Sequence, residues 1–369
     1  MPHLWVFVIP KKVRPELFVF RLMQPHLIVR ADANAKIGTG HLMRCLALAQ
    51  SWRTRGGEAT FITRCDSRDL RQSIADAGMQ VTNLEKTHPN PLDWRVTSQV
   101  LQKHSNGWMV LDGYHFDPEY QRQVKKGGLP LLVIDDTAHL EQYHADIVLN
   151  QNIDADLLRY SSEPNTLLLL GTQYVLLRPE FLSRGASSKT IPEIARKVLI
   201  TLGGADADNQ TLKVIKAVKQ IDIDGFEAVV VVGANNPHQP QLQVESRDAT
   251  FPIEIVANAT NMDELMAWAD LAVSGGGSTC WEMAFMGLPA LVIILADNQR
   301  SVAEGLDEAG IFVNLGYHNN LNATDIAQAL LKLATETDAR TEMSQRGRVL
   351  VDGKGNDRVV SELLARCSN

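Results

Sequence analysis

Two short stretches of this chain carry residue types that can act on an anion or on water. The first is Ser274-Gly275-Gly276-Gly277-Ser278-Thr279-Cys280-Trp281-Glu282. An apolar strand pattern, Leu271–Val273, leads into it and a helical pattern, Thr279–Met286, leads out. Three glycines lack Cβ atoms, so a ligand can approach their backbone closely. The first amides of a helix have no intrahelical acceptor, and the helix dipole favours negative charge there. The N–H groups of Ser278, Thr279 and Cys280 are therefore candidate donors to a phosphate. Ser278 or Thr279 can add a hydroxyl. Glu282, one turn in, can accept hydrogen bonds from ribose hydroxyls. An ordinary tight turn with Ser278 as its helix cap would use the same residues. No Gly-Lys-Ser/Thr follows, and G-x-G-x-x-G is not matched, so two common phosphate loops are excluded. Gly203-Gly204 ends the strand pattern Val198–Leu202 and could line the same cleft or simply close a strand.

The second stretch is Gly38-Thr39-Gly40-His41. It places an imidazole in the first turn of a helix. An uncharged imidazole can take a proton from water, which is the work of a general base. A structural histidine with both nitrogens satisfied is the competing reading. Arg44 lies three residues on and shares that helix face. Asp112-Gly113-Tyr114-His115 follows the strand pattern Trp108–Leu111, so Tyr114 could orient a water or a sugar. Asn298-Gln299 follows Ala290–Leu295 and could contact a sugar or cap a helix. Asp135, Asp136, His139 and His144 have a spacing that fits no metal site. Asp154-Ala155-Asp156 and Asp206-Ala207-Asp208 match the D-x-D pattern of metal-dependent glycosyltransferases, but two residues recur by chance. No G-x-S-x-G elbow is present.

The elements that must carry these residues alternate along the chain. Strand patterns at Leu27–Ala31, Ala59–Thr63, Trp108–Leu111, Leu131–Ile134 and Ile147–Leu149 are spaced by amphipathic stretches such as Gly40–Trp52 and Asp69–Ala77. Ser183–Pro192 is aperiodic and rich in Ser and Gly, which predicts a linker. The alternation then restarts. Strands are predicted at Val198–Leu202, Ala228–Val232, Ile253–Val256, Leu271–Val273 and Ala290–Leu295. Helices are predicted from about Asn209, at Met262–Ala269, Thr279–Met286 and Val302–Glu308, and over a tail from Ala323. Such alternation predicts βαβ units, parallel sheets and two doubly wound domains facing each other across a cleft. The divisions expected are residues 23–183, a linker at 184–192, and residues 193–369. Residues 1–22 read as an appendage, since the clean strand pattern begins only after Met23.

At 369 residues the chain is long enough for a core in each half. Its net charge of -7 argues against a nucleic-acid partner. No apolar run reaches the roughly 20 residues a membrane span needs, so no stable membrane association is expected. Cys45, Cys65, Cys280 and Cys367 form no C-x-x-C pair and suit a reducing, cytoplasmic setting.

Together these stretches resemble a known family. RADANAKIGTGHLMRCLALA (30–49), LDGYHFD (111–117), VIDD (133–136), LLGTQYVLLRPEF (169–181), ITLGGADADNQT (200–211) and SGGGSTCWEMAFMGLPALVIILADNQ (274–299) look like the UDP-2,4-diacetamido-2,4,6-trideoxy-β-L-altropyranose hydrolases of pseudaminic acid biosynthesis. The likeness runs in order over residues 27 to 350. It implies the two-domain GT-B glycosyltransferase fold, used for hydrolysis without a metal or cofactor. It implies that His41 is the base and that Tyr114 places water or sugar. It implies substrate contacts from Arg30, Gly40, Arg44, Arg178, Gly204, Ser274, Gly276, Gly277, Ser278, Thr279, Glu282, Asn298 and Gln299. The expected partner is a UDP-activated diacetamido sugar, and the expected state a monomer or weak oligomer. A UDP-sugar-dependent glycosyltransferase and a hydrolysing UDP-sugar 2-epimerase share the same features and stand as alternatives. At family level, a flagellin or capsule glycan is the expected destination of the sugar.

Overall fold

The computed structural model describes residues 25–34, 37–185, 190–204, 206–233 and 236–367. The expected appendage at 1–22 and residues 186–189 of the aperiodic stretch Ser183–Pro192 lie outside the described residues.

The first half forms a seven-stranded sheet. Its strands are β1 (His26–Ala31), β2 (Glu58–Thr63), β3 (Gln80–Asn83), β4 (Gly107–Asp112), β5 (Leu131–Ile134), β6 (Ile147–Asn150) and β7 (Leu167–Leu170). They lie in the order β3-β2-β1-β4-β5-β6-β7, and every pairing is parallel. The second half repeats the plan with β8 (Lys197–Thr201), β9 (Glu227–Val232), β10 (Ile253–Ala257), β11 (Leu271–Gly275), β12 (Ala290–Ile294) and β13 (Val313–Tyr317). Their order is β10-β9-β8-β11-β12-β13, again all parallel. The two doubly wound domains expected from the alternation are present.

Why these segments become strands is visible in their burial. In β1, Leu27, Val29 and Ala31 pack into one core cluster while Ile28 packs into another on the opposite face. In β8, Val198 and Ile200 face one cluster and Leu199 the other. A strand covered on both faces is apolar at most positions, which produces the apolar runs seen in the sequence; a buried polar residue such as Arg30 in β1 needs partners inside the core. The sheet order reverses between β1 and β4 and between β8 and β11. At such switch points the connections leave in opposite directions, and a crevice opens beyond the carboxyl ends of the strands.

The C-terminal helix Gly355–Cys367 crosses back onto the first sheet. Val359, Val360 and Leu363 belong to the first-half core, and Trp108 Nε1 donates to the Leu363 carbonyl at 2.9 Å. Asn356 Nδ2 donates to the carbonyls of Ala47 and Leu177, both at 3.1 Å. The helical tail is therefore shared between the two halves.

Candidate active site

His41 is the second residue of the helix Gly40–Thr54, which starts beyond the end of β1. Asp112 is the last residue of β4, the neighbour of β1 at the switch point, paired in register with Ala31. The topology thus delivers both side chains to one place. His41 Nδ1 lies 2.6 Å from Asp112 Oδ1, and Nε2 has no partner among the described residues. Arg44 closes the arrangement. Its Nε donates to Asp112 Oδ2 at 2.6 Å and its Nη2 to Asp112 Oδ1 at 2.7 Å, while Nη1 donates to Asp136 Oδ1 at 2.7 Å.

Burial alone would raise the Asp112 carboxyl, which is fully enclosed. The charge of Arg44 and then the His41 contact outweigh it and hold the group well below the usual carboxylate range. Arg44 is also buried, so its charge serves these two carboxylates. The expectation that it contacts substrate is corrected to that extent: it borders the cleft, with Nε, Nη1 and Nη2 all donating to acidic partners.

Tyr114 follows β4. Its hydroxyl donates to Asp136 Oδ2 at 3.0 Å, and the Asn298 side chain approaches the same hydroxyl. Burial first, and then Asp136, push its phenol far above the ordinary value, so it remains a neutral hydroxyl. Its ring meets the His41 imidazole edge-on at 5.1 Å. Asn298 belongs to the second half, so this contact spans the cleft. Two others do the same: Asn258 Nδ2 donates to Asp69 Oδ2 at 3.3 Å, and a Cβ on Gly40 would sit 3.3 Å from Ser278 Oγ. Gly204 also borders the cleft, and a Cβ there would sit 3.7 Å from Thr39.

On the second half, Gly276, Gly277 and Ser278 lie between β11 and the helix that Thr279 opens, Thr279–Met286. The N–H of Cys280 is used within the turn, donating to the Gly277 carbonyl at 3.0 Å. The expected donor set is corrected accordingly. Gly277, Ser278 and Thr279 have N–H groups with no partner among the described residues. Gln299 holds this loop in shape: its carboxamide oxygen accepts from Gly276 N at 3.1 Å and from Leu295 N at 3.0 Å. Both partners are donors, so the oxygen must be the atom facing them. Gln299 is thus a loop support as well as a cleft-lining residue. Glu282 is paired with Arg178, whose Nε donates to Oε1 at 2.9 Å, while Arg178 also meets Glu180 at 2.8 Å. Burial raises the Glu282 carboxyl above its usual range despite that partner.

Both loops open into one cleft of about 980 Å³, lined from both halves. His41, Arg44, Tyr114, Arg178, Glu282, Asn298 and Gln299 all border it. Two expected substrate contacts do not. Ser274 is buried within β11, its hydroxyl donating to the Gly275 carbonyl at 3.3 Å. Arg30 is fully buried beneath the sheet end. It is clamped between Asp32 and Asp93, with Nη2 donating to Asp93 at 2.5 Å and to Asp32 at 2.9 Å. A side chain inside β1 points into a face covered by packing, and its charge is spent on those two carboxylates.

Asp112 and Asp136 are the functional candidates that the sequence left without a role. The signal for Asp112 was its place at the end of the strand next to β1. Asp136 stood only among doubtful metal ligands. Asp135 and His139 of that set form an ion pair of 2.5 Å, and His144 lies 3.0 Å from Glu163. Among the described residues, no three His, Cys, Asp or Glu side chains are placed to hold a metal. No described helix is long and apolar enough to cross a membrane.

Comparison with known proteins sharpens this picture. Residues 197–354 match the glycosyltransferase family 28 C-terminal domain. The chain is 27% identical to protein MJ1062 of Methanocaldococcus jannaschii over 74% of this chain and 56% of that one. It therefore spans only about half the length of that relative. It is 24% identical to the spore coat polysaccharide biosynthesis protein SpsG of Bacillus subtilis, over 92% of this chain and 97% of that one. It is 22% identical to the UDP-2,4-diacetamido-2,4,6-trideoxy-β-L-altropyranose hydrolase of Campylobacter jejuni, over 79% of this chain and 99% of that one. Among solved structures, the UDP-GlcNAc 2-epimerase of Neisseria meningitidis superposes with a TM-score of 0.65 at 12% identity, covering 92% of this chain and 100% of that one. MurG of Acinetobacter baumannii gives 0.62 at 16% identity, covering 92% and 99%. The chain is thus a sequence relative of the UDP-diacetamido-altropyranose hydrolases, built on the two-domain GT-B glycosyltransferase fold.

Proposed function

We propose that this protein hydrolyses UDP-2,4-diacetamido-2,4,6-trideoxy-β-L-altropyranose to UDP and 2,4-diacetamido-2,4,6-trideoxy-L-altrose. Hydrolase-named relatives and the fold together support the broader class, an enzyme acting on a nucleotide sugar. One observation carries the reaction. An imidazole backed by a buried carboxylate faces, across a single cleft, a glycine loop with free N–H groups at a helix start.

In this reading the pyrophosphate of UDP sits on the N–H groups of Gly277, Ser278 and Thr279. The sugar lies between that loop and His41. A water molecule gives a proton to His41 as its oxygen bonds to the anomeric carbon. The bond from that carbon to the phosphate oxygen breaks, and its electron pair leaves with UDP. Attack from the face opposite UDP inverts the configuration. The helix start stabilises the charge that develops on the leaving phosphate. Tyr114 keeps one lone pair for a water or a sugar hydroxyl. The chemistry asks for no metal. The reading includes domains at 23–183 and 193–369 joined by 184–192, a cytoplasmic location, and a monomer or weak oligomer.

The test is UDP release from that substrate by the purified chain, in EDTA and without an acceptor. Oxygen-18 from labelled water should enter the free sugar; label in UDP would mean attack at phosphorus and would end the proposal. Release that requires an acceptor would identify a transferase. A product epimerised at C2 would identify an epimerase.

A second expectation concerns Gln299. Leucine there removes the acceptor for two backbone N–H groups without changing the size much. Each unsatisfied group costs about 1–3 kcal/mol, and the loop recovers part of that by relaxing away from the form that holds UDP, so UDP should bind about tenfold to a hundredfold more weakly. Calorimetric titration with UDP measures it. Unchanged affinity would show that the loop holds its form without Gln299.

A further inference from the structure

A base at His41 must use one particular ring nitrogen, and something must hold the ring. We propose that Asp112 is the positioning residue: it binds the Nδ1–H of His41 and so leaves Nε2, facing the cleft, as the proton acceptor. The catalytic consequence rests on the hydrolase reading, whereas the tautomer does not.

His41 Nδ1 has two close neighbours that demand opposite tautomers. Asp112 Oδ1 lies at 2.6 Å, and Arg44 Nη2 at 3.2 Å. A guanidinium only donates, so a bond from Arg44 would need a bare Nδ1 and a proton on Nε2. An ionised carboxylate only accepts, so a bond to Asp112 needs the proton on Nδ1. Distance decides in favour of Asp112. Two lone pairs facing each other at 2.6 Å would repel, whereas N–H facing a carboxylate at that separation is a short, charge-assisted bond. Arg44 Nη2 already has its own acceptor, Asp112 Oδ1, at 2.7 Å.

A proton on Nδ1 requires Asp112 to stay ionised, and its surroundings provide for that. Arg44 grips both of its oxygens, and Cys45 Sγ donates to Oδ2 at 3.4 Å. The Asp112 backbone is fixed at the end of β4 in parallel register with β1. The side chain is fully buried and does not border the cleft, so it acts on substrate only through His41. Its charge also favours the imidazolium that forms when Nε2 takes a proton. Arg44 extends the effect, since Nη1 holds Asp136, the acceptor for Tyr114. The orientations of base and tyrosine therefore share one guanidinium.

The first arm of the test needs no substrate and leaves Asp112 in place. The full chain is labelled with 15N-histidine and titrated until the His41 ring is neutral, with His41→Asn identifying its signals. Expected is a protonated Nδ1 with a downfield-shifted proton and a bare Nε2. The reverse tautomer would overturn the proposal. The second arm is Asp112→Asn, which is expected to lower kcat by about 10²–10⁴-fold with KM and UDP affinity held within about twofold. A kcat within about threefold of wild type would overturn it too. If the variant does not fold, the tautomer decides alone. If no UDP-sugar turns over, the hydrolase reading fails and the tautomer still stands or falls by itself.

Discussion

Replacing His41 with asparagine is expected to lower turnover by about 10²–10⁴-fold, the range a positioned general base contributes. UDP affinity should stay near that of the wild type, because the nucleotide is proposed to rest on the opposite loop. Asparagine is a suitable probe. It retains an N–H that can reach Asp112, so the buried carboxylate keeps a partner and the first turn of the helix keeps its contacts. Loss of folding is therefore not the expected cause of lost activity. Single-turnover measurement of UDP release alongside UDP titration separates the two effects. Full activity in the variant would remove His41 from the mechanism, and a parallel loss of UDP binding would place it in the nucleotide site instead.

The second large effect concerns stability. Arg30→Met is expected to lower unfolding free energy by about 3–5 kcal/mol, the usual result of removing one side of a buried ion pair. Arg30 is enclosed, and Asp32 and Asp93 are equally buried on either side of it. Methionine fills similar volume but leaves two carboxylates without their cation. Phe116, over whose ring the guanidinium lies at 5.0 Å, would lose that contact as well. Urea unfolding measures the change. A UDP affinity that falls while stability holds would instead return Arg30 to the substrate site.

The same cluster has a predictable pH signature. Burial would raise the Asp32 carboxyl, but the His115 contact and the Arg30 charge outweigh it, bringing it down from 3.8 to about 2. A depressed folded-state value means that the unfolded chain binds this proton first. The stabilisation is present above pH 3.8 and is lost as pH falls from there through about 2. Arg30→Met should flatten stability over that interval, because Asp32 then loses one source of its depression.

Much of the fold was legible along the chain. The strands covered on both faces, such as β1, β8 and β12, declare themselves as apolar runs, broken in β1 by Arg30. The helices Gly40–Thr54 and Thr279–Met286 were visible because each follows glycines and repeats at helical spacing. The edge strand β3 was not legible. Gln80, Val81, Thr82 and Asn83 are each at least partly exposed and show no apolar run. The strand exists because β2 offers it a parallel ladder. The pairing of the tail helix with Trp108 was equally invisible, since no local pattern records a partner about 255 residues away.

For the site, the sequence alone determined the chemistry on offer. It placed an imidazole and a glycine loop each at the start of a helix after a strand, where free polar groups collect because local hydrogen bonding leaves them unpaired. It also determined that two sheets of this kind form, since the periodicity of apolar residues is a local property. Which side chains meet was decided only by the tertiary structure. Arg30 and Arg44 look alike in the chain, fourteen positions apart. One lies in a strand covered on both faces and pairs inside the core, while the other lies on a helix rim and reaches Asp112 and Asp136. Burial and partner choice depend on strand order, and strand order brings β4 beside β1 only when the whole sheet assembles.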